Sequence, residues 1–303
     1  MNKQKNILLH HAQQIIKKSE DQSILSSINS GFSNIDKEVH GLKLGQMYVL
    51  GAAVAMGERV FVGQLASQVS DKTGVLYLSF KESTDKLTKR LLSMAAFIPE
   101  YQLEYKPWDA EVAKKIITVL TSFEKKRFFI EKLWQFEEEE LLDLIQDYIV
   151  HNGVQLIIID DEENLFKSFS KQLCSEEKYG FMLTLKIMLR NLDCCSIILK
   201  KIKSAKRTKK NPCQLPAVNE LQKEYDLAEI VDKIWFLHRI EYYGILKDPF
   251  ENSTAGRMDI YEMDEDGGYI NNFYFKVKNS FTFLEVMEDP SVSGWADDLI
   301  EEE

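Results

Sequence analysis

No run of uninterrupted apolar residues in this 303-residue chain reaches the ~20 positions that a bilayer-spanning helix needs. The opening residues, Met1 to Leu9, carry lysines but no apolar stretch of leader length and no small-residue cleavage site, so no secretory signal is expected. The sequence reads as cytoplasmic, without a membrane partner. Cations are in deficit: 38 Lys and Arg stand against 48 Asp and Glu, for a formal charge of -10. Dedicated nucleic-acid binders usually spread excess Lys and Arg over one face, so that class is disfavoured, although a local basic loop is not. The 4 cysteines, Cys174, Cys194, Cys195 and Cys213, show no C-x-x-C spacing, and the adjacent pair Cys194 and Cys195 falls inside an apolar run. Buried reduced thiols are expected rather than a disulfide or zinc site. The 5 histidines, His10, His11, His40, His151 and His238, are scattered without metal-ligand spacing, and no metal is expected.

What is present suits one large globular domain or two small ones, with 45% hydrophobic and 28% charged residues. Residues Ile7 to Ile16 have helical spacing and lead into a polar, linker-like run, Lys17 to Ser30. Candidate strands then alternate with helical stretches: Met47 to Leu50, Gly74 to Phe80, Arg127 to Glu131, Val154 to Asp160, Cys194 to Leu199 and Lys233 to His238. That alternation implies an α/β fold with a mainly parallel sheet flanked by helices. After His238 the runs Met258 to Met263, Tyr269 to Val277 and Phe281 to Met287 are closely spaced around Asp266-Gly267-Gly268 and Asn279-Ser280, which reads as antiparallel C-terminal hairpins. Glu137 to Glu140 read as the first turn of a helix through Tyr148, where negative charge is favourable. Trp134, Trp235, Phe236, Tyr242 and Tyr243 are expected in the core. Residues 289–303 form an acidic segment, expected to be flexible apart from Trp295 to Ile300.

One stretch occupies the place of a phosphate-binding loop and carries the wrong charge for phosphate. Gly51 to Arg59, G-A-A-V-A-M-G-E-R, follows the Met47 strand and precedes the helical spacing of Val60 to Val69. In a working loop the residue after the last glycine is Lys, which reaches the β- and γ-phosphates, and the next is Ser or Thr, whose hydroxyl binds Mg²⁺. Here they are Glu58 and Arg59. A carboxylate about 4 Å from a phosphate charge costs about 4 kcal/mol at an effective dielectric near 20. Read alone, the stretch is first an ordinary strand-to-helix turn, because a glycine-flanked loop without Lys is a weak signal.

Longer segments set it in context. S-G-F-S-N-I-D-K-E-V-H-G-L-K-L-G-Q-M from Ser30 to Met47, V-L-Y-L-S-F-K-E-S-T-D-K-L-T-K-R-L-L from Val75 to Leu92, L-I-I-I-D-D from Leu156 to Asp161 and D-K-I-W-F-L-H-R-I-E-Y-Y from Asp232 to Tyr243 occur in that order. Together they resemble the C-terminal, RecA-like motor domain of replicative DNA helicases of the DnaB family. The resemblance implies a RecA-like domain over residues 30–288, preceded by a linker-like helix in 1–29 and followed by the acidic segment 289–303.

It also implies a departure from the family's chemistry. The vestigial nucleotide site would comprise Gly51, Ala52, Met56, Gly57, Glu58, Arg59 and Asp160. The phosphate-binding Lys and the Mg²⁺-binding hydroxyl fall on Glu58 and Arg59, the catalytic glutamate on Lys81, and a nucleotide-sensing glutamine on Lys201. The groups that reach a neighbour's nucleotide fall on Lys276 and Lys278, and the DNA-contacting loop on Glu220 to Asp226. A self-neutralised site is expected, with Glu58 paired to Lys81 and Arg59 to Asp160 or Asp161; unselected surface charge is the alternative. ATP and Mg²⁺ are disfavoured as cofactors. The basic run Lys200, Lys201, Lys203, Lys206, Arg207, Lys209 and Lys210 is either a contact for single-stranded DNA or a solvated loop. The function implied first is a catalytically inactive helicase paralogue that binds a replicative helicase, another replication protein or its own copies. A DNA-dependent ATPase subunit and a single-stranded-DNA-binding module are the alternatives.

Overall fold

The computed structural model describes residues 26–104, 107–203, 215–222, 224–248, 251–264, 266–278 and 282–290. The helix expected at Ile7 to Ile16, Cys213, and the segment with Trp295 lie outside them. The strands are β1 (Ser27–Ile28), β2 (Leu42–Lys43), β3 (Met47–Ala52), β4 (Gly74–Ser79), β5 (Phe128–Lys132), β6 (Val154–Asp160), β7 (Cys195–Lys201), β8 (Lys233–His238), β9 (Arg257–Met263), β10 (Tyr269–Lys278) and β11 (Phe283–Met287). The helices are α1 (Ser33–Val39), α2 (Glu58–Val69), α3 (Thr84–Ala96), α4 (Glu100–Glu104), α5 (Ala110–Phe123), α6 (Glu138–Asn152), α7 (Glu162–Lys167), α8 (Ser175–Asn191) and α9 (Leu227–Ile230).

The near-continuous apolar runs of β3, β4, β6 and β7 have no polar side to turn to water, so they take the middle of a sheet covered on both faces. The order is β11-β10-β9-β8-β3-β7-β6-β4-β5, nine strands in all. From β8 to β5 neighbours run parallel, while β9, β10 and β11 add on antiparallel through the closely spaced C-terminal runs. Aromatic packing fixes the loop-proximal helix α2 onto this sheet. The Phe61 ring stacks on Phe32 at 5.3 Å and meets Phe275 edge-on at 5.7 Å, and Trp235 packs against Tyr48 at 5.1 Å. One buried amide ties α2 to the edge strand: Gln64 Nε2 donates to Leu284 O, and Leu284 N donates to Gln64 Oε1, both at 2.8 Å. This satisfies two backbone groups that an edge strand would otherwise leave unpaired.

β7 runs two residues past the expected Leu199. Lys200 and Lys201 stay in the parallel ladder opposite Gly51 and Ala52, because each ammonium finds a carboxylate there. Helix α6 begins as expected, with Glu137 as N-cap and its own N–H donating to Glu140 Oε2 at 2.9 Å. Two aromatics expected inside are outside, Trp134 and Tyr242, while Trp235 and Phe236 are buried. Both exposed rings sit on connections beyond strand ends, where the alternation that buries a strand residue no longer applies. Cys194 and Cys195 are buried free thiols, and Cys174 is exposed at the start of α8 instead. No helix among the described residues is long and apolar enough to cross a membrane.

Candidate functional site

The loop leaving β3 is shaped by two requirements. A Cβ on Gly51 would lie 2.6 Å from the Phe236 ring, so only glycine lets the strand approach β8 here. Gly57 turns the chain into α2 at φ +97°, a left-handed conformation that glycine adopts without strain. Between them Met56 is anchored in the core and Val54 stands at the exposed crest. The first turn of α2 then begins with Glu58 and Arg59.

Glu58 does not meet Lys81. Its Oε2 turns back and accepts the Gly57 N–H at 3.2 Å, so the carboxylate serves the helix N-terminus, which favours an anion. Lys81 is exposed beyond β4, and no ion pair joins the two among the described residues. The cause is the turn after β4, held by Ser79 Oγ donating to Glu82 O at 3.0 Å, which sends Lys81 out and Glu82 in. Glu82 is the residue the sequence reading missed. It is buried and takes a two-point contact from Arg90, at 2.5 and 2.8 Å. Burial pushes its carboxyl up, but the Arg90 bonds and charge outweigh this and hold it below the usual range. Its eight-residue separation from Arg90 follows no motif spacing.

Arg59 makes the other expected pair. Its Nε lies 3.0 Å from Asp160 Oδ1 at the end of β6, with side-chain exposures of 26% and 2%. Burial raises the Asp160 carboxyl above its usual range, and the opposing charge and bond of Arg59 only partly offset it. For Arg59 burial works against the cation, yet Asp160 more than compensates and the guanidinium is held firmly charged. The buried Tyr77 phenol is pushed well up, by burial first and then by the charge of Asp160.

The next two carboxylates are matched in turn. Asp161, at φ +80°, caps α7 and pairs with Lys201. Glu162 meets Lys200 Nζ at 2.6 Å and the Tyr225 hydroxyl at 2.5 Å. Three successive carboxylates thus face three cations supplied by α2 and β7. The space left among Ala52, Glu58, Arg59, Asp160, Asp161, Leu199, Lys200 and Lys201 is ≈ 10 Å³, about the room of one water molecule.

This pairing takes in the first two members of the basic run, Lys200 with Glu162 and Lys201 with Asp161. Lys203 is exposed, and Lys206, Arg207, Lys209 and Lys210 lie outside the described residues. A larger cavity of ≈ 490 Å³ beside them is floored by Phe166 and Phe169. Its lysines are also paired, Lys167 with Glu163 at 2.6 Å and Lys178 with Glu224. In the Glu220 to Asp226 stretch, Leu221 and Tyr225 are buried against the body. At the other end of the sheet, Lys276 Nζ donates to Ala255 O and Lys278 pairs with Glu285 at 2.9 Å.

Comparison with known proteins agrees with this architecture. The model of the DnaB-like helicase C-terminal domain matches residues 27–280. A probable replicative DNA helicase of Trieres chinensis is 20% identical over 88% of this chain and 59% of its own length. The replicative DNA helicase DnaB of Geobacillus stearothermophilus is 20% identical over 86% of this chain and 57% of its own. The chain therefore spans little more than half the length of these relatives. A solved DnaB-like replicative helicase, studied with its interactions with primase, superposes with a TM-score of 0.74 at 17% identity, over 91% of this chain and 67% of that one. A solved ATPase domain gives 0.70 at 17% identity, over 95% of this chain and 100% of its own. At such identities the likeness establishes the RecA-like fold.

Proposed function

The chain belongs to the DnaB-like helicase C-terminal domain family, and from that premise we propose that it acts in DNA replication as a binding subunit that does not turn over nucleotide, attached to a replicative helicase, to another replication protein or to its own copies. One observation carries this reading: Arg59 and Asp160 meet at 3.0 Å in the cleft at the strand ends, and only ≈ 10 Å³ remains around them. A Mg²⁺–triphosphate needs a lysine on its outer phosphates and a hydroxyl and carboxylate on its metal. The residues present do not fit it. Glu58 would oppose the phosphates with a like charge, and Arg59 holds the carboxylate that a metal would need. The anion favoured by the loop amides is supplied from within, by Glu58 itself. The single-stranded-DNA reading is weaker, since Lys200 and Lys201 are engaged by Glu162 and Asp161.

Isothermal titration with ATP and ADP, each with and without Mg²⁺, is the direct test. No heat is expected from the native chain. Micromolar Mg²⁺-dependent binding would overturn the reading in favour of an ATP-dependent helicase or ATPase subunit.

A further inference from the structure

The cavity of ≈ 490 Å³ lies outside the carboxyl ends of β6 and β7, the end of an open α/β sheet at which ligands are generally held. Its volume is that of a small-molecule site. Its floor is built in advance. Phe166, in the last turn of α7, and Phe169 are buried and line the cavity, and other rings lock them from behind. Phe169 meets Phe136 at 4.8 Å and Phe181 at 5.1 Å, and Phe166 meets Phe181 at 6.1 Å and Tyr225 at 5.8 Å, all edge-on. The backbone is pinned beside them, since Ser170 N donates to Phe136 O at 3.0 Å. A floor held in this way needs no ordering when a flat ring is laid on it.

The walls carry two kinds of ion pair. Lys200 and Glu162 are both buried, with side-chain exposures of 9% and 3%, and Glu162 also accepts the Tyr225 hydroxyl, so this pair is fixed. The pair of Lys178 and Glu224 is divided between wall and rim. The Lys178 side chain is 16% exposed and its Nζ lies 5.5 Å from the centre of the Phe166 ring, whereas its partner Glu224 is 57% exposed. A carboxylate standing mostly in water adds little to such a pair, so an incoming anion of better fit can take its place beside the phenyl face.

We propose that this cavity binds a small ligand made of one flat aromatic ring and one anionic group, a carboxylate or a phosphate monoester, the ring on Phe166 and Phe169 and the anion on Lys178 in place of Glu224. The aromatic requirement follows from the floor. The single anionic group follows from the walls, because Glu162, Glu163 and Glu224 line the same space and oppose a polyphosphate. The proposal goes beyond the binding-subunit reading and does not rest on it: Mg²⁺-dependent binding of ATP would overturn that reading and leave this one standing.

Isothermal titration of the full chain with phenyl phosphate and with phenylacetate, without Mg²⁺, tests it. Saturable binding of at least one is expected, and the tighter of the two tells phosphate ester from carboxylate. Phenol and inorganic phosphate, each half of the ligand, should bind about tenfold more weakly or worse. Glu224→Gln should tighten binding about threefold by freeing Lys178. Lys178→Met should weaken it about tenfold or more, and Lys178→Arg should restore most of the loss. No saturation with either aromatic anion, an affinity no better than that of inorganic phosphate, weaker binding in Glu224→Gln, or an affinity that Lys178→Met leaves unchanged overturns the proposal.

Discussion

The carboxylate row at the ends of β6 and β7 and the small lobe between β8 and β9, with Arg257 at its base, both bury ion pairs, but they arrange them differently. In the row each carboxylate has one cation, and two of the three cations keep contact with water, Arg59 at 26% side-chain exposure and Lys201 at 38%, while Lys200 is at 9%. In the lobe a single Arg257, at 7%, is shared by Asp248 and Asp259, at 3% and 1%. The row lies where the family resemblance implies a nucleotide site, and the lobe lies beyond β8, away from it. The difference teaches that buried charge is divided into separable pairs when pairing is one to one. It becomes structural when one cation answers for two dry carboxylates.

Removing the shared cation should therefore do the most damage. Arg257→Met is expected to take from two buried carboxylates the cation they share and to cost about 3–5 kcal/mol, read as a lower midpoint in urea unfolding. A loss below about 1 kcal/mol would mean that the lobe relaxes to admit water and that the contrast is one of degree.

Arg59→Ala is expected to cost less, about 1–3 kcal/mol, because Asp160 can gain water through the opened rim. Its pH dependence has a definite sign. Asp160 titrates above its usual range in the fold because burial outweighs Arg59, so its protonated form is favoured there and stability falls as pH rises through that value. Without Arg59 the carboxyl is raised further. The gap between native and variant should thus be small near pH 4, an ordinary carboxylate value, and widen toward neutrality. Addition of Asp160→Asn should remove that widening, and thermal melts across this range would detect its failure to do so.

Glu58→Lys is the smallest expected change, within about 1 kcal/mol. No ion pair is broken, and only a first-turn carboxylate on a helix N-terminus is lost. A drop as large as that of Arg59→Ala would show that the Gly57–Glu58 contact holds the loop.

Much of the fold was legible because it depends on runs of residues. β6 and β8 begin and end where their apolar runs do, and the change from long to short spacing after His238 coincides with the change from parallel to antiparallel pairing. The pairing of Arg59 with Asp160 or Asp161 was legible too, since the family resemblance puts these residues on positions that converge on one site, and the structure selects Asp160. Charge partners elsewhere were not. Lys200 and Lys201 look like the start of a basic loop, yet they continue β7 because Glu162 and Asp161 wait beside it. Glu82, not Lys81, faces inward because one hydrogen bond from Ser79 bends the chain after β4.

By itself, then, the sequence determined the α/β alternation, the glycine-flanked loop between β3 and α2, and the charge reversal at Glu58 and Arg59, all of which rest on residue type and order. Only the tertiary structure decided which charges meet, that ≈ 10 Å³ of space is left among them, and that Tyr242 and Leu246 face water. At a strand's end the direction of a side chain reverses with every residue, and the turn that follows, set by distant contacts, selects which of two neighbours points in.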